Sequence, residues 1–187
     1  EANRSFRDPS SWYHIVLAVD TTQGTGANRI KYYVNGVQVD NSTYYGEIPQ
    51  NQETYINRAE PHNIGRSLNT TSSLFNGYLA EINFVDGTQY DASYFGETKN
   101  GIWIPKSPSV TYGTNGYRLQ FKQTGTGTAS ASTIGADTSG NNNHWTSNNL
   151  SAHDSNMPDS PENNFCIWSS VSTSNLPALY EGSLKNY

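Results

Sequence analysis

Positively charged residues and sulfur-containing residues are scarce in this sequence. Its 187 residues include 11 Lys and Arg against 16 Asp and Glu, for a net charge of −5, and a single cysteine, Cys166. Nucleic acids and anionic membranes attract proteins through Lys and Arg, so neither is an expected partner. One cysteine excludes an intrachain disulfide and a multi-cysteine metal site. Stability must therefore come from packing.

Long apolar runs are also missing. No segment approaches the roughly 20 apolar residues that cross a bilayer, so membrane insertion is not expected. No amphipathic pattern extends over a long segment, which argues against long helices. The chain begins Glu-Ala-Asn-Arg, without an initiator Met or a signal peptide. We therefore expect a processed protein or a fragment of a longer one.

What the sequence has instead is aromatic residues among polar turns. Aromatic residues make up 12% of the chain, although all hydrophobic residues together reach only 34%. A core built from them has few but large side chains. The apolar run at 12–19 predicts a central strand covered on both faces. The Asn35-Gly36 pair between two β-rich arms predicts a type I′ hairpin, because both turn residues need φ > 0.

Later segments extend this all-β pattern. Residues 75–85 (FNGYLAEINFV) predict a second strong strand, and residues 117–122 (YRLQFK) alternate cleanly between apolar and polar. Asp91 is placed to cap one helical turn within 91–97. Residues 123–133 are rich in Gly, Thr and Ser without apolar periodicity, which predicts a mobile loop or linker. The expected fold class is all-β, closed as a sandwich or barrel.

Four motifs in the first half of the chain follow one another in order. They are SWYHIVLAVD at 11–20, RIKYYVNGVQV at 29–39, HNIGR at 62–66 and FNGYLAEINFVDG at 75–87. Together they resemble the laminin-G-like domains of the concanavalin A-like superfamily, over about residues 6–98. The resemblance implies a concanavalin A-like jelly-roll β-sandwich, which we expect to be non-enzymatic.

The domain organisation departs from that family at its start. Laminin-G-like domains normally have several strands before the Trp-His strand, whereas eleven residues precede Trp12 here. We expect residues 1–122 to form a sandwich that lacks its usual first strands. Residues 123–150 either complete that sandwich or open a second domain, since YRLQF and DTSGNNNHWT resemble the opening of laminin-G-like domains. Residues 151–187 are expected to form an extended tail or linker.

A second resemblance covers nearly the whole chain. The segments GIWIPK, YGTNGYRLQF, DTSGNNNHWTSNNL and MPDSPENNF are similar to segments found together in structural proteins of marine and cyanobacterial phages. This implies an extracellular location on the virion, as a tail fibre, head fibre or capsid decoration. The implied partners are other virion proteins, and such parts are usually symmetric, so a homo-oligomer is expected.

A catalytic interpretation centres on Glu81, Asn83 and Asp86. Laminarinase-type glucanases, which share the implied fold, carry Glu-x-Asp-x-(x)-Glu on one strand, with the outer pair as nucleophile and general acid. A retaining mechanism needs two matched carboxyl groups about 5 Å apart. Here Asn83 supplies no charge and Asp86 is shorter than Glu. We therefore predict no catalytic residues, and a structural role for this strand.

A calcium site is the alternative for the loop at 137–143. Asp137, Ser139, Asn141 and Asn143 alternate there, and oxygen ligands of this kind suit calcium. Asp137 is the single charged member, however, and Asp-Thr-Ser-Gly-Asn equally well forms a turn. We predict no cofactor, with Asp137, Asn141 and Asn143 as weak candidates if calcium binds.

Binding of a host-surface glycan is a further hypothesis. Sugars are held by aromatic faces and by Asn and Asp side chains, and Tyr44, Tyr45, Tyr55 and Trp145 lie in loop-like segments. Tyr is also common at protein interfaces. Three functions thus stay open: a fibre or adhesin module that binds a glycan or receptor, a purely structural capsid or fibre protein, and, third, a glycan depolymerase. Tyr44, Tyr45 and Trp145 are the binding candidates.

Overall fold

The computed structural model describes residues 6–8, 11–39, 48–67, 74–151, 154 and 160–161, together with the backbone of 179–180 and 185–186. Its strands are β1 (Ile15–Val19), β2 (Ile30–Val34), β3 (Val37–Val39), β4 (Ile82–Phe84), β5 (Gly96–Lys99), β6 (Ile102–Pro105), β7 (Tyr117–Leu119), β8 (Leu179–Tyr180) and β9 (Lys185–Asn186). Two single-turn 3-10 helices lie at Gly26–Asn28 and Ala92–Tyr94. The described part of the chain therefore has no helix with the length and apolarity to span a bilayer.

All of these strands pair antiparallel. β1, β2 and β3 form a three-stranded sheet in that order, and the pairs β4–β7, β5–β6 and β8–β9 form two-stranded sheets. A bridge between Leu119 and Asp137 attaches the following loop to β7. The fold is mostly β with little helix, as the sequence predicted.

The β2–β3 hairpin confirms its sequence signature. Asn35 has φ 48° and Gly36 has φ 78°, the left-handed values that a type I′ turn requires. The Asn35 backbone N–H donates to the His14 carbonyl at 2.8 Å, and the His14 N–H donates to Asn35 Oδ1 at 2.8 Å. The turn residue thus extends the β1–β2 ladder by one position.

Trp103 joins this hairpin to the β5–β6 sheet. A Cβ atom on Gly36 would lie 2.3 Å from Trp103 Cε3, and one on Gly96 would lie 2.6 Å from Trp103 Cε2. Both distances are far below a normal carbon–carbon contact. The indole can occupy this place because both neighbours lack a side chain.

Asp91 caps a short helical turn as expected. Its carboxylate accepts from the Ser93 N–H at 2.8 Å and from Ser93 Oγ at 2.6 Å. The turn that follows, Ala92–Tyr94, buries Ala92. An N-cap side chain satisfies backbone donors that a helix start leaves free.

The predicted strand at 75–85 is much shorter in the structure. Only Ile82–Phe84 pairs as β4, and Leu74 makes an isolated bridge to Arg66. Glu81 has φ 50°, a left-handed value that breaks an extended ladder. Apolar content marked the segment correctly as sheet-forming, but it could not reveal this local break.

The loop at 123–133 is folded rather than a free linker. Gly125 bridges Thr133 in parallel, and the Ile134 N–H donates to the Gly125 carbonyl at 2.7 Å. Thr133, Ile134 and Ala136 are buried. The sequence prediction of a mobile loop missed this because backbone bonds, not an apolar period, hold the segment.

Candidate functional site

A groove of about 1980 Å³ opens beside β1. We call it the β1 groove. One wall is β1 itself, and the opposite wall includes residues of β4 and β6. Beyond the apolar part it reaches the polar side chains of Glu81 and Arg118. Its size and its mixed walls make it the candidate site in the described residues.

The β1 wall of the groove is apolar and open. Ile15 is 52% exposed and Leu17 is 53% exposed, while Ala18, on the opposite face, is buried. β1 is also at the edge of its sheet among the described strands. The prediction of a central strand covered on both faces was therefore wrong: within the described residues, no second layer covers this face.

The hydrogen bonds that flank β1 show which of its backbone groups face β2 and which face away from it. His14 and Asp20 make ladder bonds toward β2, through the Asn35 N–H donating to His14 O at 2.8 Å and the Asp20 N–H donating to Arg29 O at 2.7 Å. In an antiparallel pair, successive residues alternate between facing the partner and facing away. The N–H and C=O groups of the odd-numbered residues of β1 consequently face away from β2.

Two buried polar atoms in the groove lining lack a hydrogen-bond partner in the structure. They are His14 Nδ1 and Trp103 Nε1, on rings whose centroids are 5.7 Å apart. Burial lowers the pKa of His14 below its ordinary value, which favours the neutral ring. Unpaired buried polar groups are uncommon in complete protein interiors.

Glu81, the first residue of the glucanase-like motif, is held in an ion pair. Its Oε2 lies 3.0 Å from Arg118 Nη2 and accepts from Arg118 Nε at 3.1 Å. Its Oε1 accepts from Gln120 Nε2 at 3.1 Å. Both carboxylate oxygens are thus occupied by side chains of the segment around β7.

The other two motif residues have separate structural partners. Asn83 Oδ1 accepts from the Tyr112 hydroxyl at 2.7 Å. Asp86 accepts from Asn57 Nδ2 at 2.7 Å and from the Asn115 N–H at 3.2 Å. Tyr112 and Asn115 both lie in the loop before β7, and none of these bonds joins one motif residue's side chain to another's.

The calcium candidate Asp137 is the centre of a hydrogen-bond hub. Oδ1 accepts from the N–H groups of Arg118 and Ser139, both at 2.8 Å, and Oδ2 accepts from Ser139 Oγ and the Asn143 N–H, both at 2.9 Å. Its own N–H donates to His144 Nδ1 at 2.9 Å. Burial alone would raise the pKa of Asp137, but these hydrogen bonds outweigh it and lower that pKa.

Asn141 and Asn143 tie the same loop to the turn before β7. Asn141 Nδ2 donates to the carbonyls of Gly113 at 2.6 Å and Gly116 at 2.9 Å. Asn143 Nδ2 donates to those of Thr114 at 3.0 Å and Gly116 at 2.9 Å. The three candidates are brought together, and their bonds close two loops on each other. Among the described residues, no three His, Cys, Asp or Glu side chains cluster as a metal site.

Trp145 lies in an aromatic row and not on an open loop face. Its ring packs edge-on against Tyr117 at 5.1 Å, and Tyr117 stacks on Phe84 at 5.3 Å. Burial raises the pKa of Tyr117 to about 12. The other two binding candidates, Tyr44 and Tyr45, fall outside the described residues.

Tyr55 is the most exposed aromatic residue in the described part of the chain. Its ring is 80% exposed, and the Arg58 guanidinium lies 4.9 Å from the ring centroid. Sequence composition marked Tyr55 as one of several loop aromatics and could not rank it. Nothing in the sequence pattern marked the β1 groove.

Comparison with protein families finds a match in the first part of the chain. Residues 1–92 match the Laminin_G_3 family, described as the Concanavalin A-like lectin/glucanases superfamily. That stretch, from the start of the chain through β4, is thus similar to the laminin-G-like domains of this superfamily, which are generally non-catalytic. No curated protein and no solved structure gave a significant match.

Proposed function

We propose that this chain is a non-enzymatic structural module with a jelly-roll β-sandwich fold, carried on the surface of a phage particle, where it assembles with other proteins. The observation that carries the proposal is the β1 groove, which joins an exposed apolar wall to a strand edge that has no partner among the described strands. A polypeptide strand satisfies such an edge through its backbone and covers the apolar wall with its side chains. The phage location rests on the sequence resemblance.

The state of the glucanase-like motif supports a non-enzymatic role. The Glu81 carboxylate is bound by Arg118 and Gln120, and Asn83 stands where the middle carboxylate would be. A retaining glycosidase needs one carboxyl free to attack and another kept protonated. Incubation with host polysaccharide should release no reducing sugar, and Glu81→Gln should behave like the parent chain. Release that disappears in Glu81→Gln would contradict this part of the proposal.

Host-glycan binding is the second candidate, and one observation favours it. Tyr55 presents an exposed ring with the Arg58 guanidinium over it, and aromatic faces pack on the C–H surfaces of sugars. A glycan array with the parent chain and Tyr55→Ala separates the two functions. Binding that is lost in Tyr55→Ala would make the adhesin function the leading one.

The decisive experiment for the assembly proposal is a cryo-EM map of the proposed phage particle. We expect density from a neighbouring protein over Ile15 and Leu17. A particle in which this groove faces solvent, or one without the chain, would contradict the proposal.

A further inference from the structure

Two hairpins of this fold turn on the same dipeptide. Asn35-Gly36 joins β2 to β3, and Asn100-Gly101 joins β5 to β6. Asn35 and Gly36 have φ 48° and 78°, and Asn100 and Gly101 have φ 51° and 80°. Both are therefore two-residue turns with the left-handed values of type I′. The two turns form a matched pair within one chain.

An asparagine that precedes glycine can lose its side-chain amide without an enzyme. The backbone nitrogen of the glycine attacks the side-chain carbonyl carbon, Cγ, and gives up its proton. The amide nitrogen takes up a proton and leaves as ammonia, and a succinimide ring results. Water then opens the ring at either carbonyl, which yields aspartate or isoaspartate. Glycine favours the attack because no Cβ shields its nitrogen, and the rate depends on how readily the two reacting atoms meet.

The structure restrains the reacting groups of Asn35. Its Oδ1 accepts from the His14 N–H, and its own N–H donates to the His14 carbonyl, both at 2.8 Å. Gly36 lies against the Trp103 indole, where an added Cβ would be 2.3 Å from Cε3. Turning Cγ toward the Gly36 nitrogen breaks the Oδ1 bond and moves the turn against the indole. The reaction at Asn35 therefore requires a local opening of the turn.

The same groups are accessible at Asn100. Both Asn100 and Gly101 are exposed, and a Cβ added to Gly101 would meet no atom within 4 Å. Within the described part of the chain, the Asn100 side chain makes no hydrogen bond. Its Cγ can therefore approach the Gly101 nitrogen while the strands on either side of the turn stay paired.

The other two Asn-Gly pairs of the chain differ from this turn. The Asn115 N–H donates to Asp86 Oδ2 at 3.2 Å and Gly116 is buried, so that pair is restrained as Asn35 is. Asn76 and Gly77 are exposed, but they lie outside the strands. A reaction at Asn76 would consequently lengthen no hairpin turn.

Isoaspartate in the β5–β6 turn would change both its length and its charge. In isoaspartate the main chain runs through Cβ, so the turn gains a backbone atom together with a negative charge. The register of a hairpin is fixed by the type and length of its turn. Lys99 pairs with Ile102 directly beside this turn, and Trp103 is the next residue of β6. The change would therefore reach the indole that contacts the β2–β3 hairpin.

We propose that Asn100 is a site of spontaneous deamidation, and that its conversion to isoaspartate loosens the Trp103 contact between the two hairpins. The co-reactant is water, and the products are ammonia and an acidic residue. The matching turn at Asn35 reacts much more slowly in the same folded chain. One hairpin therefore changes with time while the other is preserved. This inference does not depend on the proposed assembly function.

The first test is incubation of the unmodified chain in mildly alkaline buffer, followed by trypsin digestion. Trypsin separates Asn35 from Asn100, on peptides 32–58 and 100–106, and tandem mass spectrometry locates each conversion. We expect Asn100 to deamidate about 10-fold faster than Asn35, because the Asn35 turn must first break two hydrogen bonds. Equal rates, or a faster reaction at Asn35, would overturn the proposal.

The same incubation in guanidinium chloride separates the effect of the fold from that of the local sequence. Both asparagines are followed by glycine and then by a β-branched residue, Val37 or Ile102. The two sites should therefore react at similar rates once the chain is unfolded. A preference for Asn100 that is as large in the unfolded chain as in the folded one would overturn the proposal, because the fold would then have no part in it.

Tryptophan fluorescence tests the effect on Trp103. The spectrum of the aged parent chain should shift in proportion to the isoaspartate formed at position 100. Asn100→Gln, aged in the same way, is the matched control and should keep its spectrum, because its side chain would have to close a larger ring. Freshly prepared Asn100→Asp adds the charge without the backbone atom and should match the fresh parent. An unchanged spectrum in the aged parent, or an equal shift in either variant, would overturn the proposal.

Discussion

The sheet containing β1 and the loop hub around Asp137 are built in opposite ways. β1 consists entirely of apolar residues, yet Ile15 and Leu17 are about half exposed. Asp137 is charged, yet it is 7% exposed and both of its carboxylate oxygens accept two hydrogen bonds. In these two regions, therefore, the exposure of a side chain depends on whether it has partners to contact, and not on its polarity. Among the described residues, the hub has its partners, whereas the β1 edge does not.

The largest expected effect tests the buried side of this comparison. Leu119 is 1% exposed in the described core. Leu119→Ala should lower the free energy of unfolding by about 4 kcal/mol, because a cavity replaces the side chain. Leu17→Ala is the matched control. It should cost less than about 1 kcal/mol in the monomer, since half of that side chain already meets solvent. Urea unfolding of dilute protein measures both, and equal losses would remove the contrast between the two leucines.

Removing the carboxylate of the hub should lower the free energy of unfolding by nearly as much. Asp137→Ala leaves four donors without their acceptor, which should cost about 3 kcal/mol. Asp91→Ala, which removes an acceptor that serves Ser93 alone, should cost about 1 kcal/mol. Thermal unfolding of the two variants against the parent checks the order. A smaller loss for Asp137→Ala than for Asp91→Ala would show that the hub does not hold the loops.

Two glycines, Gly36 in the β1 sheet and Gly87 after β4, sharpen the comparison. Both Gly36 and Gly87 have left-handed φ, at 78° and 88°, but a Cβ at Gly87 meets nothing within 4 Å. Gly87→Ala should therefore cost about 1–2 kcal/mol from backbone strain alone. Gly36→Ala should cost about 1 kcal/mol more, because Trp103 must also move. Tryptophan fluorescence should change in Gly36→Ala and stay unchanged in Gly87→Ala.

The smallest expected effect is the pH dependence of the hub. The pKa of Asp137 is lowered in the folded chain, so its carboxylate contributes stability that is fully present above its unfolded pKa of about 3.9. That contribution is lost as pH falls through the lower, folded pKa. The parent and Asp137→Asn should therefore converge in unfolding free energy on acidification from pH 6. A constant difference between them down to pH 2 would contradict the lowered pKa.

The parts of this fold that local chemistry determines could be predicted from the sequence. The Asn35-Gly36 turn and the Asp91 cap depend on φ preferences and on a bond between near neighbours, and both are found as expected. Glu81 at the break and the folded loop at 123–133 also bond to distant segments, through Arg118 and Ser147 respectively, and no local pattern contains such contacts.

The candidate site was harder to predict than the fold. Asp137 was singled out for its oxygen atoms, but its partners come from Arg118 and from loops that meet it only after folding. The exposed face of β1 could not be predicted either. An apolar strand has the same sequence whether or not a second layer covers it, so its exposure depends on what else is present.

Trp103 has a consequence for how this sequence can change over generations. The indole lies against both Gly36 and Gly96, where an added Cβ would force it to move. We therefore expect substitutions at these three positions to be coupled. A larger residue at either glycine should cost less stability once the tryptophan has been replaced by something smaller, so one order of substitutions is favoured even where each end point would fold.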